Sequence, residues 1–344
     1  MQAETLKQQI SAAKGEVDAE LVLKRAKVVN VFTNEIEEAD VAIHHGKIIG
    51  VGEYSGQNEV DLDGKYVCPG LIDGHIHIES SMLCGPAFEQ AVLPHGTTAV
   101  ITDPHEISNV AGTTGLNFML ETTRNLKLSV YFMLPSCVPS TDLDESGAVL
   151  EAKELAAYYR SERVLGLAEL MNSYGTVNGD AKILQKICDC IAAGKNVDGH
   201  APFLSGKDLN AYITAGVQSD HECSDVNEAL EKLRRGQYIM VREGTAAQNM
   251  NGSQQISTFR HVLAGTAVFA VHRETAGHES NHAARSDLVD SLGEKVVVDR
   301  KTQFVVRLVV DFVLTERDIT YGKVVKISAV GGFKASNRNV GLWI

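Results

Sequence analysis
Positive charge is scarce in this chain: 32 lysines and arginines stand against 44 aspartates and glutamates, a net charge of −12. Contact with phosphates needs a basic field, which argues against nucleic acid or an anionic membrane surface as the main partner. Long apolar runs are also missing. The opening MQAETLKQQISAAKGEV is polar, without the apolar core of a secretion signal. No stretch approaches the ~18 apolar residues of a membrane span. The expected location is the cytoplasm. Six cysteines (Cys68, Cys84, Cys137, Cys188, Cys190 and Cys223) are scattered without a CxxC pair, so neither a disulfide framework nor a structural zinc knot is suggested. Cys188 and Cys190 lie on a helical pattern and read as core.

Several catalytic signatures are absent as well. No GxGxxG follows the first strand of the main segment, and no GxSxG elbow is present. His105-Glu106 and His221-Glu222 begin HE pairs, but Asn109 and Asp225 stand where HExxH needs its second histidine. His77-Ile78-Glu79 matches HxE, yet the PCxxC that would complete a cytidine-type zinc site occurs nowhere. There is no internal repeat and no low-complexity linker.

What remains is an ordinary globular composition, 44% hydrophobic and 22% charged, long enough for one large domain or a large and a small one. Residues 2–16 carry a helix-like pattern. Three β-rich runs follow, Leu21–Phe32, Ala39–Gly52 and Val60–Val67, as in a small antiparallel sheet. At Pro69-Gly70 the texture changes to alternating strands and helices. The predicted strands are Leu71–Ile78, Thr97–Thr102, Leu128–Leu134, Val164–Leu170, Asn196–Gly199, Gly216–Asp220 and Tyr238–Arg242. Between them the helical patterns are Gly85–His95, Thr113–Lys127, Gly147–Ser161, Asp180–Ala193, Gly206–Thr214 and Val226–Arg235. Repeated βα units imply a parallel sheet with right-handed crossovers, in either a (β/α)8 barrel or a doubly wound sheet.

The polar residues that could carry chemistry gather at the carboxyl ends of these strands, where a barrel builds its site. The first strand ends in His75-Ile76-His77, two imidazoles that alternation turns to the same side. The second ends in Asp103-Pro104-His105-Glu106, the fourth in Glu169, the fifth in Asp198-Gly199-His200 and the sixth in Asp220-His221-Glu222. Taken singly, an HxH or a core histidine is commonly structural. Four histidines and a glutamate at the ends of four strands are better explained as a centre for Zn, Mn or Fe(II), where a carboxylate between two ions lets them share one water-derived ligand. Glu169 closes the apolar run Val164–Ala168, a costly place for a carboxylate unless it is paired or metal-bound.

The segments PGLIDGHIHIESSML (Pro69–Leu83), TDPHEISNV (Thr102–Val110), SCVPS (Ser136–Ser140), GLAELM (Gly166–Met171), DGHAP (Asp198–Pro202), GKDLNAYITAG (Gly206–Gly216), DHE (Asp220–Glu222) and MVREGTAAQN (Met240–Asn249) together resemble the bacterial adenine deaminases, over roughly residues 20–249. The resemblance implies a (β/α)8-type TIM barrel with a small N-terminal β-sandwich. Residues 1–68 would form the helix and part of the sandwich, 69–250 strands one to seven of the barrel, and 251–344 an unmatched tail that completes barrel and sandwich. It implies a binuclear divalent metal centre, manganese first and iron or zinc as alternatives. His75 and His77 would hold one ion, His200 and His221 the other, and Glu169 would bridge them, in place of the carboxylated lysine of other amidohydrolases. His105 would be a further site residue, in proton transfer or at an accessory metal. The implied reaction is hydrolysis of adenine to hypoxanthine and ammonia in purine salvage, and a homo-oligomer is compatible with it.

One departure accompanies the likeness. The family carries an Asp-Asp pair in a T-D-D run at the end of strand eight, the first Asp being ligand and general base, and nothing after Asn249 matches it. The readings open at this point are an active adenine deaminase impaired by that loss and a catalytically inactive truncated or frame-shifted barrel that binds metal or purine only. An amidohydrolase acting on a cyclic amide is a third. By topology the tail supplies a candidate strand eight, Ala267–Val271, after a helical stretch at Thr245–Leu263, with His272 or Glu274 near the metals and Val271 beside strand one.

Overall fold
The computed structural model describes residues 3–33 and 35–242, together with the backbone of a two-residue strand at Val271–His272. The chain divides into two compact units, the first running to Leu71 and the second starting at Ile72.

The first unit contains helix α1 (Ala3–Ala13) and strands β1 (Ala19–Asn30), β2 (Glu35–His44), β3 (Lys47–Gly52), β4 (Gly56–Asp61) and β5 (Tyr66–Val67). The expected purely antiparallel sheet is a mixed one. β1–β2 and β2–β3 are antiparallel, whereas β4 and β5 run parallel to β1 on its other edge. Its twelve residues let β1 serve both in turn. The β-rich run expected over Ala39–Gly52 is a hairpin whose loop, His45-Gly46, has positive φ at both positions (51° and 68°). That is the backbone of a two-residue turn whose twist suits antiparallel strands. A bulge interrupts β1 between Leu23 and Ala26 and puts Arg25 at φ 55°. Asp40 secures it by accepting from the Arg25 amide at 2.9 Å and from Lys24 Nζ at 2.5 Å. Ala26, Val28, Val41 and Leu62 form one buried cluster of this unit, and Ala19, Val22 and Ala42 another.

The second unit begins with a curled five-stranded sheet, β6 (Leu71–Ile76), β7 (Thr97–Thr102), β8 (Ser129–Leu134), β9 (Val164–Leu170) and β10 (Asn196–Gly199), whose spatial order follows the sequence. The pairs β7–β8, β8–β9 and β9–β10 are parallel. Further parallel contacts extend the progression. A bridge joins Val197 to Val217, β11 (Ser219–Asp220) pairs with β12 (Tyr238–Ile239), and β13 (Val241–Arg242) pairs with β14 (Val271–His272). The predicted strand at Ala267–Val271 therefore appears at its last residue, beside strand seven. The rest of it, its relation to strand one, the helix at 245–263 and the side chains of His272 and Glu274 lie outside the described residues.

Helices α2 (Gly85–Val92), α3 (His105–Thr122), α4 (Ala152–Leu155), α5 (Ser173–Val177), α6 (Ala181–Ala192), α7 (Gly206–Thr214) and α8 (Val226–Arg234) connect the strands. Phe88, Leu116, Leu155, Ile187 and Tyr212 from these helices pack with Val100, Phe132, Leu134, Val164 and Leu167 of the sheet in one core. Each such burial stabilises by about 1.5–3 kcal/mol. Cys190 belongs to that core, but Cys188 is exposed, contrary to expectation. Capping fixes where helices start: Asp180 accepts from the amides of Lys182 and Ile183, and Asp225 from those of Asn227 and Glu228. Two helical expectations need correction. The helix predicted over Thr113–Lys127 starts eight residues earlier, at His105, and breaks at Gly112 (φ 59°, ψ −139°). The pattern over Gly147–Ser161 yields only α4 and a 3-10 turn at Tyr158–Arg160, because the Glu151–Glu154 capping box starts the helix late. Among the described residues, no helix is long and apolar enough to cross a membrane.

Candidate metal centre
Parallel strands deliver their last residues to one end of the sheet, and that end holds the candidate side chains. His75 is on β6 and His77 lies one residue past it. Asp103 follows β7, Glu169 is the penultimate residue of β9, His200 follows β10 and His221 follows β11. His105 belongs instead to the first turn of α3, with Pro104 as the preceding cap residue. The close strand approach depends on Gly199, where an added Cβ would collide with the Ser219 carbonyl oxygen.

Glu169, 2% exposed, is the hub. Its Oε1 lies 3.1 Å from His105 Nδ1 and 3.4 Å from His77 Nε2; its Oε2 lies 2.7 Å from His200 Nδ1 and 3.0 Å from His221 Nε2. Burial alone would raise its pKa, but the hydrogen bonds from His105, His200 and His221 hold it well below the usual carboxylate range. Ser136 Oγ donates to the Glu169 carbonyl at 2.6 Å, and buried Lys186 donates to that of Ser136 at 2.7 Å, fixing the backbone of the hub.

His75 and His77, at the end of β6, reveal what the centre is suited to hold. His77 Nδ1 donates to the Asp103 carbonyl at 2.8 Å, and His75 Nδ1 lies 3.2 Å from Asp198 Oδ2. With Nδ1 of each ring engaged in this way, the two Nε2 atoms face one another at 3.3 Å. Burial pushes the His75 pKa well below its ordinary value, so its ring stays neutral. Two lone pairs at that distance repel unless a cation or proton lies between them. The donor set therefore fits a metal, and carboxylate or carbonyl partners behind ligating imidazoles are the usual supporting arrangement.

Three groups present candidate ligand atoms within 4.8 Å of one another: His75–Glu169–His221, His77–Asp103–His105–Glu169 and His200–His221–Glu222. Glu169 and His221 are each shared between two of them. All of the predicted ligands and His105 are thus brought together, although His75 associates with His221 as closely as with His77. Their rings stack with centroids 3.9 Å apart. At His105, burial opposes the charged ring, but Asp103 at 2.8 Å and Glu169 outweigh it and raise its pKa. Asp103 is fully buried, and its Oδ1 has no hydrogen-bond partner among the described residues.

The second layer was missed in the sequence. Asp198 and Asp220 stood at strand ends without an assigned role, and Tyr212 and Lys232 gave no sign at all. Asp198 also accepts from the Gly199 amide and Ser219 Oγ. Tyr212 Oη donates to the Leu170 carbonyl and accepts from the His200 amide at 3.0 Å. Lys232, completely buried, donates to Asp220 at 2.8 Å, to Glu228 at 2.6 Å and to the Ala201 carbonyl at 2.7 Å. It thereby ties the loops that carry His200 and His221.

Residues 66–297 match the model of the amidohydrolase family, and the chain belongs to that family. Within it, the chain is similar to curated adenine deaminases. It is 51% identical over 245 residues to adenine deaminase 2 of Carboxydothermus hydrogenoformans, 71% of this chain and 43% of that protein. It is 49% identical over 263 residues to the adenine deaminase of Bacillus licheniformis, 76% of this chain and 44% of that protein. The chain spans less than half the length of these relatives. Among solved structures, atrazine chlorohydrolase TrzN from Arthrobacter aurescens TC1, complexed with zinc, superposes with a TM-score of 0.52 at 14% identity. The overlap covers 78% of this chain and 76% of that one, a likeness of fold.

Proposed function
We propose that this chain carries the site of an adenine deaminase, hydrolysing the exocyclic C–N bond of adenine to give hypoxanthine and ammonia in the cytoplasm. The observation that carries this reading is Glu169, with His77 and His105 at one oxygen and His200 and His221 at the other, within a stretch about half identical to adenine deaminases. In this reading His75, His77 and Glu169 hold one divalent ion, and Glu169, His200 and His221 hold the second; manganese, iron or zinc all suit imidazole and carboxylate donors. A metal pair in such a site supplies an activated water and neutralises developing negative charge.

The protein residues do the rest. Asp103 orients His105 through Nδ1 and keeps the ring protonated. A proton held there is available to the leaving amino group, which departs poorly as an amide anion and readily as ammonia. Asp198 orients His75, and the Tyr212 and Lys232 bonds hold the loops after β10 and β11. The pairing of Val271–His272 with β13 supports taking that strand as the eighth of a (β/α)8 barrel. The mixed sheet supports taking residues 1–68 as part of a small β-sandwich, with 69–250 as the barrel strands and 251–344 completing both.

The test is ammonia release from adenine by the full chain reconstituted with manganese, iron or zinc. Without a counterpart to the family's strand-eight Asp, the expected rate is metal-dependent but ~10²–10⁴-fold below that of a relative carrying it. Adenine binding with no ammonia released under any metal overturns the reading.

A further inference from the structure
Within the first unit, the tight turn between β2 and β3 gathers a second set of donors. Glu20 of β1, His44 at the end of β2 and His45 in the turn each offer a ligand atom within 4.8 Å of the other two. His45 Nε2 lies 2.9 Å from Gln8 Oε1 on α1, and its Nδ1 lies 3.1 Å from Glu20 Oε1. When the Nε2 proton is donated to Gln8, a neutral His45 turns a lone pair toward a carboxylate oxygen. As at His75 and His77, two acceptors meet across a gap that only a proton or a cation can fill.

His44 distinguishes the two occupants. It is 8% exposed, its Nδ1 is buried with no hydrogen-bond partner among the described residues, and its ring meets His45 edge-on at a centroid distance of 4.6 Å. A proton shared by His45 and Glu20 leaves that nitrogen unsatisfied, which is unfavourable for a buried polar atom. A metal ion held by all three groups draws on the second imidazole. The backbone is already set, because Glu20 Oε2 accepts from the His45 amide at 2.7 Å and Gln9 Nε2 donates to the His44 carbonyl at 3.4 Å. The side chains of His45 and Glu20 are 38% and 36% exposed, which leaves the site open to solvent.

We propose that Glu20, His44 and His45 bind one divalent transition-metal ion of the zinc or nickel class, separately from the strand-end centre. Two imidazoles and a carboxylate select such ions over magnesium or calcium. The test is zinc titration of the full chain, followed by equilibrium dialysis and metal analysis, in the parent, His45→Gly and Glu20→Gln. Glycine suits the φ of 51° at position 45 and removes an exposed side chain, so folding is retained, which the metal-free thermal transition verifies. The parent is expected to hold one more zinc equivalent than His45→Gly, and Glu20→Gln to bind that equivalent at least about tenfold more weakly. Ammonia release should be unaltered in both. Equal stoichiometry and affinity in all three proteins overturns the proposal. Loss of the strand-end ions through His75→Ala, with this equivalent retained, supports it independently of the proposed deaminase reading.

Discussion

Asp198 is buried against Ser219 and the Gly199 amide and turns the His75 ring so that its other nitrogen faces the centre. Asp198→Asn keeps the shape and removes the charge behind the imidazole, so metal affinity should fall by about 10–100-fold. Competition with a chelating dye measures this, and an unchanged affinity would show that the Asp198 carboxylate does not act through His75. Glu169→Gln is a harsher change, because one oxygen that meets two imidazoles becomes an amide nitrogen. At least one equivalent of metal should be lost on dialysis; full retention would refute the bridging role. At His105 the expected effect is kinetic. His105→Ala should slow ammonia release by ~10²–10⁴-fold while metal content stays near that of the parent, and metal loss in step with activity would assign His105 to ligation instead.

At the level of helices and strands, two junctions carry the site. Lys232 on α8 is buried between Asp220 and Glu228. Lys232→Met leaves two carboxylates without their cation, and breaking a buried pair in this way costs about 3–5 kcal/mol. Urea denaturation should register that loss, whereas a midpoint within error of the parent would mean the loops after β10 and β11 do not depend on the lysine. Gly112, in the break of α3, occupies a backbone region closed to other residues, with the Ala148 methyl 3.1 Å from where a Cβ would lie. Gly112→Ala should cost about 1–3 kcal/mol. These junctions also show what could be read in advance. Thr97–Thr102 and Val164–Leu170 have the predicted bounds because each is a β-prone, largely apolar run stopped by a turn or a polar end, and the short Asn196–Gly199 has them because Gly194 precedes it and the Asp198-Gly199-His200 run closes it. The histidines and Glu169 were legible because they close such runs. The start of α3 was not, since His105–Asn109 is polar and reads as a site loop. The bonds by which Asp198, Tyr212 and Lys232 reach His75, His200, Leu170 and Asp220 span 12 to 123 residues, which no local pattern reports. Parallel pairing of β1 with β4 and β5 escaped for the same reason.

For the molecule as a whole, each unit has its own response to conditions. In the first, burial raises the pKa of Asp40, but Lys24 and the amides of Arg25 and Tyr54 more than offset this and bring it below 3.8. The hydrogen bond to Asp40 raises that of Lys24 above 10.5. A depressed carboxyl contributes stability that is present above the unfolded value and lost as pH falls through the folded one. The acid limb of this unit's stability should therefore lie below about pH 4. Asp40→Asn should flatten it and cost about 1.5–3 kcal/mol at neutral pH, as read from thermal midpoints across an acid series; an acid limb identical to the parent's would exclude Asp40 as its source. In the second unit the centre should confer ligand-dependent stability. In the His45→Gly background, free metal at a hundred times its dissociation constant adds about 2.7 kcal/mol, and calorimetry should show a chelator lowering one transition and leaving the other in place.

The order of the centre along the chain bears on how it is made. Glu169 lies on the fourth strand of its sheet, with His77 and His105 before it and His200 and His221 after it. On a ribosome adding about 5–20 residues per second, the carboxylate is made with half of its partners still unsynthesised, and roughly seven to thirty seconds separate His77 from His221. Over that interval the hub has only solvent and two imidazoles to offset its charge, so β9 has little reason to bury its polar end. Nascent chains halted short of His221 should be open at this end of the sheet and readily cut by protease there, and metal should enter only after α8 has brought Lys232 to Asp220.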